Sequence, residues 1–178
     1  VHRLDKDTRG LLIIAKNDKA HLSLAKMFQD KIIKKTYLAI LKGKLNKNSG
    51  RIVTKIGRDK NDRKKMTVLD SLENGKIAIS NFEVLDKNEK FTLVKVHIET
   101  GRLHQIRAGM AHFGHPLIGD RLYGGSMHAM KRPALHCWKV EFVHPKTKKK
   151  ITIECKLPDD MQKVVNKLQE ISITAKGL

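Results

Sequence analysis

The sequence predicts an α+β domain built on a central, largely antiparallel mixed sheet flanked by helices and loops. Three observations carry this. Two pairs of segments alternate apolar and polar residues around short polar turns, as hairpins do. Helical periodicity is confined to three short stretches. No regular β-α-β alternation runs through the chain, so a parallel sheet is not expected.

The elements follow in order. LLIIA (11–15) reads as a fully buried strand. A helix follows, capped near Asn17 or Asp18, with Leu24, Met27 and Phe28 on one face. KKTYLAIL (34–41) is a second strand. Residues 42–66 are polar and read as an extended loop or hairpin. KIAISNFEVL (76–85) and FTLVKVHIE (91–99) form a hairpin around the turn DKNEK. RLHQIRAGMAHF (102–113) is a short helix ended by Gly114 and Pro116. ALHCWKVEF (134–142) and ITIECKL (151–157) make another hairpin, and the tail from Asp159 lines up Met161, Val164, Val165, Leu168 and Ile171 on one helical stripe.

Composition narrows the function. The 178 residues hold 37 basic and 18 acidic side chains, a formal charge of +19. Such a chain attracts a polyanion, and nucleic acid is the usual one. The longest apolar run is five residues, Leu11–Ala15, too short to cross a membrane, and no secretory signal is visible. Cys137 and Cys155 read as buried thiols rather than a disulfide framework, so a reducing cytoplasm is the expected compartment.

Chemistry-bearing residues gather in three clusters. HRLDKDTRG (2–10) sets an aspartate beside basic side chains before an apolar run; it reads as an activated carboxylate or as a solvated turn. Tyr37, in KKTYLAIL, reads as a base-stacking ring or as core. Residues 99–125, ETGRLHQIRAGMAHFGHPLIGDRLYGG, are dense in Arg, His and Gly, which suits close approach of backbone to a ligand. Nothing in the chain matches the usual phosphate-loop or zinc-ligand patterns, and no metal site is expected. The basic stretch GRDKNDRKKM (57–66) reads as a solvated hairpin tip or as a phosphate-contacting arm.

Taken together, these motifs resemble the RNA pseudouridine synthases of the ribosomal large-subunit type. HRLDKDTRG is similar to the family's HRLDxxTSG, KTYLAIL to its tyrosine-bearing strand and GRLHQIR to its GRTHQIR. HFGHPLIGDRLYG and RPALHCWKVEFVHP also match the family's pattern. Arg9 stands where the family has Ser, and Leu103 where it has Thr or Ser.

The resemblance implies isomerisation of specific uridines in 23S ribosomal RNA, without metal or organic cofactor. Asp5 is then the nucleophile, Arg107 its cationic partner and Tyr37 the ring beside the base. Arg3 fills the gap left by an extruded uridine. From their charge, and apart from the resemblance, Arg58, Arg63, Lys64 and Lys65 are expected to contact RNA, as are Arg102 and His104. The resemblance further implies one catalytic domain over residues 1–178, acting as a monomer. The family's opening strand with its NKPxG segment is expected to be missing. So is the small RNA-binding domain resembling one in ribosomal protein S4. The alternative from another class is a non-catalytic RNA-binding or ribosome-assembly protein, which would explain the charge but not the joint presence of Asp5, Tyr37 and Arg107.

Overall fold

The structure, a computed structural model, describes residues 1–70 and 74–176, with side chains described as far as Gln169. Its centre is an eight-stranded sheet. The strands are β1 (Arg9–Gly10), β2 (Lys34–Lys42), β3 (Ser49–Arg58), β4 (Met66–Val68), β5 (Lys76–Lys87), β6 (Phe91–Ile98), β7 (Leu135–Val143) and β8 (Lys150–Glu154). The order is β1-β7-β2-β6-β5-β3-β4, with β8 also on β7. Every pairing is antiparallel except β1 with β7.

Helices α1 (Asp18–Gln29), α2 (Gln105–His112) and α3 (Asp159–Lys176) cover the sheet. The Asn17 side chain accepts a hydrogen bond from the Ala20 N–H and so caps α1 where the sequence predicts. Leu24 of α1 and Ile106 and Met110 of α2 pack with Tyr37, Ala39, Val94 and Val96 on one face. On the other face Met161, Val164, Val165 and Leu168 of α3 pack with Ile40 and Leu93. The period of two along β2 thus feeds two cores, with Ala39 to one side and Ile40 to the other. The fifth residue of the expected α3 stripe, Ile171, has a side chain outside the described residues.

One expectation needs correction, and another is resolved between its alternatives. LLIIA is not a fully buried strand: pairing stops after Gly10, apart from the Leu11 N–H donating to the Cys137 carbonyl. Leu11, Ile13 and Ala15 pack inward, whereas Leu12 and Ile14 are 46% and 75% exposed. One side of the segment finds the core and the other finds none. Of the two readings of the polar stretch 42–66, the hairpin holds: the ten-residue strand β3 turns back to pair antiparallel with β4, and its first eight residues pair with β5. Ile52 and Ile56 are buried, whereas Arg51 and Val53 beside them are exposed, so β3 is a half-buried strand.

Candidate active site

Gly10 determines where the chain before it lies. Its φ is +117°, and a Cβ there would come within 2.3 Å of the Cys137 carbonyl oxygen, so no larger residue lets β1 lie on β7. The turn just before it closes with the Thr8 N–H donating to the Asp5 carbonyl. Arg132 secures the same turn, donating to the carbonyls of Asp7, Pro133 and Leu135 and pairing with Asp160 on α3. Asp5 therefore sits on a braced turn with its side chain 16% exposed.

Arg107 approaches Asp5 from α2, with Nη1 3.8 Å from Asp5 Oδ2. Its closer partner is Asp120, to which Nε and Nη2 donate at 2.7 and 2.9 Å. Asp120 is 1% exposed and is held in a tight turn, its carbonyl accepting from the Tyr123 and Gly125 N–H groups. Burial works against charge on the guanidinium, but the two carboxylates, Asp120 foremost, outweigh it and raise the Arg107 pKa further.

Tyr123 packs against the guanidinium, with Arg107 Cζ 5.1 Å from the ring centre and Lys65 Nζ 5.6 Å from it. Its hydroxyl donates to the Met66 carbonyl and accepts from the Met66 N–H. His104 Nδ1 lies 2.9 Å from the same oxygen. With the hydroxyl proton directed to Met66, His104 must carry its proton on Nδ1. Burial, and then Arg107, lower the His104 pKa, and burial pushes Tyr123 up to about 12.

The sequence-derived residues divide. Asp5, Tyr37, Arg3 and Arg102 line one cleft together with Lys35 and Ile106. Arg107 is not one of its lining residues but stands behind Asp5, within ion-pair reach of it. Tyr37 is 6% exposed, and burial raises its pKa. Its phenol thus stays protonated and offers a ring and a donor rather than a ready base. Arg3 is exposed at the mouth, and exposed Arg102 donates from Nε to the Ile77 carbonyl. His104 turns inward to Tyr123 instead of opening to solvent. Arg58, Arg63 and Lys64 are exposed around the β3–β4 turn, where the Asp59 side chain accepts from the Asn61 and Asp62 N–H groups. Lys65 folds back over Tyr123.

Sequence reasoning passed over Asp120, Tyr123 and Lys35. The available signal for the first two was the string GDRLYG, in which Asp120 and Tyr123 stand among glycines. No comparable signal distinguishes Lys35 from the many other lysines.

Comparison with known proteins bears on the same residues. The family profile described as RNA pseudouridylate synthase matches residues 1–112, which include Asp5, Tyr37 and Arg107. The chain is 43% identical over 171 residues to the uncharacterized RNA pseudouridine synthase YlyB of Bacillus subtilis, covering 96% of this chain and 55% of that protein. It is 39% identical over 180 residues to the ribosomal large subunit pseudouridine synthase D of Nitrosomonas europaea, covering 96% of this chain and 51% of that one. The chain spans about half the length of the curated relatives it matches. Among solved structures, human RNA pseudouridylate synthase domain containing 1 superposes with a TM-score of 0.77 at 25% identity, over 94% of this chain and 78% of that one. The corresponding human domain-containing 4 protein, at 22% identity, has the same fold with a TM-score of 0.78, over 94% of this chain and 74% of its own.

Proposed function

Because the chain belongs to the RNA pseudouridylate synthase family, we propose that it converts uridine to pseudouridine in large-subunit ribosomal RNA, with Asp5 as nucleophile. The observation that carries this reading is the meeting of Asp5 and Arg107, 102 positions apart in sequence, at a cleft walled by Tyr37. A solvated turn has no need of a buried arginine braced by a second carboxylate.

The chemistry exchanges an N-glycosidic bond for a C-glycosidic one. On one route the Asp5 carboxylate attacks C1′, and the bonding pair leaves on N1 of uracil. The base turns, C5 attacks C1′, and the carboxylate departs. N1 gains a proton and C5 loses one, so no net charge or oxidation change results. On the other route Asp5 attacks the uracil ring first. The Tyr37 ring offers a face for the base. Arg3 at the mouth is placed to fill the stack that the uridine leaves.

Names of relatives support the ribosomal substrate: the Nitrosomonas europaea protein is a ribosomal large subunit enzyme. The reading implies work in the cytoplasm, as a monomer, on ribosomal RNA. No helix among the described residues is long and apolar enough to cross a membrane. The test is a pseudouridine map of ribosomal RNA from cells with and without this gene. Loss of one or more large-subunit sites is expected, and identical maps would refute the substrate.

A further inference from the structure

Beside the Asp5 cleft lies a second cavity of about 500 Å³ that the chemistry above leaves unused. That is within the range of roughly 300–1,000 Å³ usual for small-ligand sites. Arg3, Lys35, Ile98 and Gly101 belong to the walls of both spaces. The larger one adds Lys31 and Lys34. Its one lining carboxylate, Glu99, is engaged by Arg51 and Asn81.

Lys35 is the side chain that needs an explanation. It is 9% exposed and sits two residues before Tyr37 on β2, so both leave the same face of the strand. Its ammonium makes no hydrogen bond or ion pair among the described residues. The nearest recorded partner is the Phe28 ring, 5.4 Å away. A Cβ on Gly101 would stand 3.9 Å from Nζ, so the bare backbone there leaves the ammonium open to the cavity. Burial lowers the Lys35 pKa from its ordinary value, with Cys137 and Asp5 acting against that. A partly desolvated cation that opens to a cavity with no carboxylate in ion-pair reach is suited to receive an anion there.

We propose that this cavity is a subsite for a backbone phosphate of the RNA beside the target uridine, with the Lys35 ammonium as its principal cation and Arg3 and Lys34 at the rim. The proposal rests on the reading of RNA as substrate. A nucleotide with its ribose at Asp5 carries its phosphates just beyond the sugar, and Lys35 stands where the two spaces join. A point-charge ammonium suits a phosphate oxygen at such a junction. Gly101 lets the strand pass close to the protein backbone.

The test compares the full-length protein with Lys35→Met, which keeps the apolar stem and removes the charge. Binding of a short oligouridylate is followed over a salt series. One phosphate contact on a single strand contributes about 0.7 to the slope of log affinity against log salt. Lys35→Met should flatten the slope by about that amount and weaken binding several-fold at low salt. With an oligouridylate whose backbone carries uncharged methylphosphonates, parent and variant should bind alike. The melting temperature of Lys35→Met should equal or exceed that of the parent, because the substitution keeps the packed stem and breaks no ion pair. An unchanged slope, or weakened binding that tracks a fall in melting temperature, overturns the subsite. If the slope responds as expected but the parent makes no pseudouridine, the phosphate site stands and the enzymatic reading fails.

Discussion

Arg107 holds Asp120 through two hydrogen bonds of 2.7 and 2.9 Å and reaches Asp5 only at 3.8 Å. The buried arginine is thus shared unequally. Asp120 fixes its orientation, and Asp5 keeps a neighbouring positive charge while its oxygens stay uncommitted to a close bidentate pair. A nucleophilic carboxylate gains from that division, since a fully paired one would have to break its bonds before attacking.

Asp5→Asn in the full-length protein should abolish pseudouridine formation while leaving RNA affinity within a few-fold of the parent. One carboxylate carries the bond-making, whereas affinity is spread over many phosphate contacts. Product assay and binding assay on the same RNA check this. Appreciable turnover by the variant would remove Asp5 from its role.

Asp120→Ala should lose both stability and turnover. Removing one partner of a buried ion pair typically costs about 3–5 kcal/mol. Arg107 and Asp120 are 7% and 1% exposed at their side chains, so solvent offers little relief. Urea unfolding measures the stability. Asp120→Asn keeps an acceptor for one of the two bonds and should fall between parent and alanine variant in both measurements; a parent-like alanine variant contradicts the bracing role.

Replacing Arg63, Lys64 and Lys65 together by Ala should weaken RNA binding and flatten its salt dependence by up to roughly two units of slope. Arg63 and Lys64 are exposed, and the turn that carries them is tied through Met66 to Tyr123, which packs on Arg107. The loss should fall on KM. If affinity and slope match the parent, the turn is a solvated tip and the RNA runs elsewhere.

His2 makes stability depend on pH. The Ile13 N–H donates to its Nε2, which must therefore be unprotonated. Burial, aided by the Lys35 charge, lowers its pKa from 6.5 to about 4. The folded value lies below the unfolded one, so the unfolded chain takes up the proton first. The stabilisation is complete above the unfolded value and is lost as pH falls through the folded one. His104 and His136, also lowered by burial, act in the same direction. The urea midpoint should fall between about pH 7 and about pH 5, and His2→Gln should shrink that fall. An undiminished fall in the variant would place the proton uptake elsewhere.

Local pattern was enough to determine the hairpin of β5 and β6, that of β7 and β8, a cap at Asn17 or Asp18, and the apolar faces of α1 and of α3 as far as Leu168. Each rests on residues within a few positions of one another, where the strand period of two and the helical spacing leave little choice. The motif strings likewise marked Asp5, Tyr37 and Arg107. Local pattern failed where the answer lay in a distant partner. Whether LLIIA continues a ladder depends on how far β7 accompanies it, and β7 does so no further than the Leu11 N–H. Whether the stretch 42–66 is loop or hairpin depends on β5, which supplies the ladder of residues 49–56 from twenty or more positions away. Period tells which face Lys35 occupies but not that its ammonium finds no anion there. Nor does it tell that Arg107 chooses Asp120 over Asp5. Those outcomes arise from sheet register and the approach of α2 to the turn at 117–125. They bring charges together across tens to a hundred residues, and in a dry interior the closest carboxylate wins.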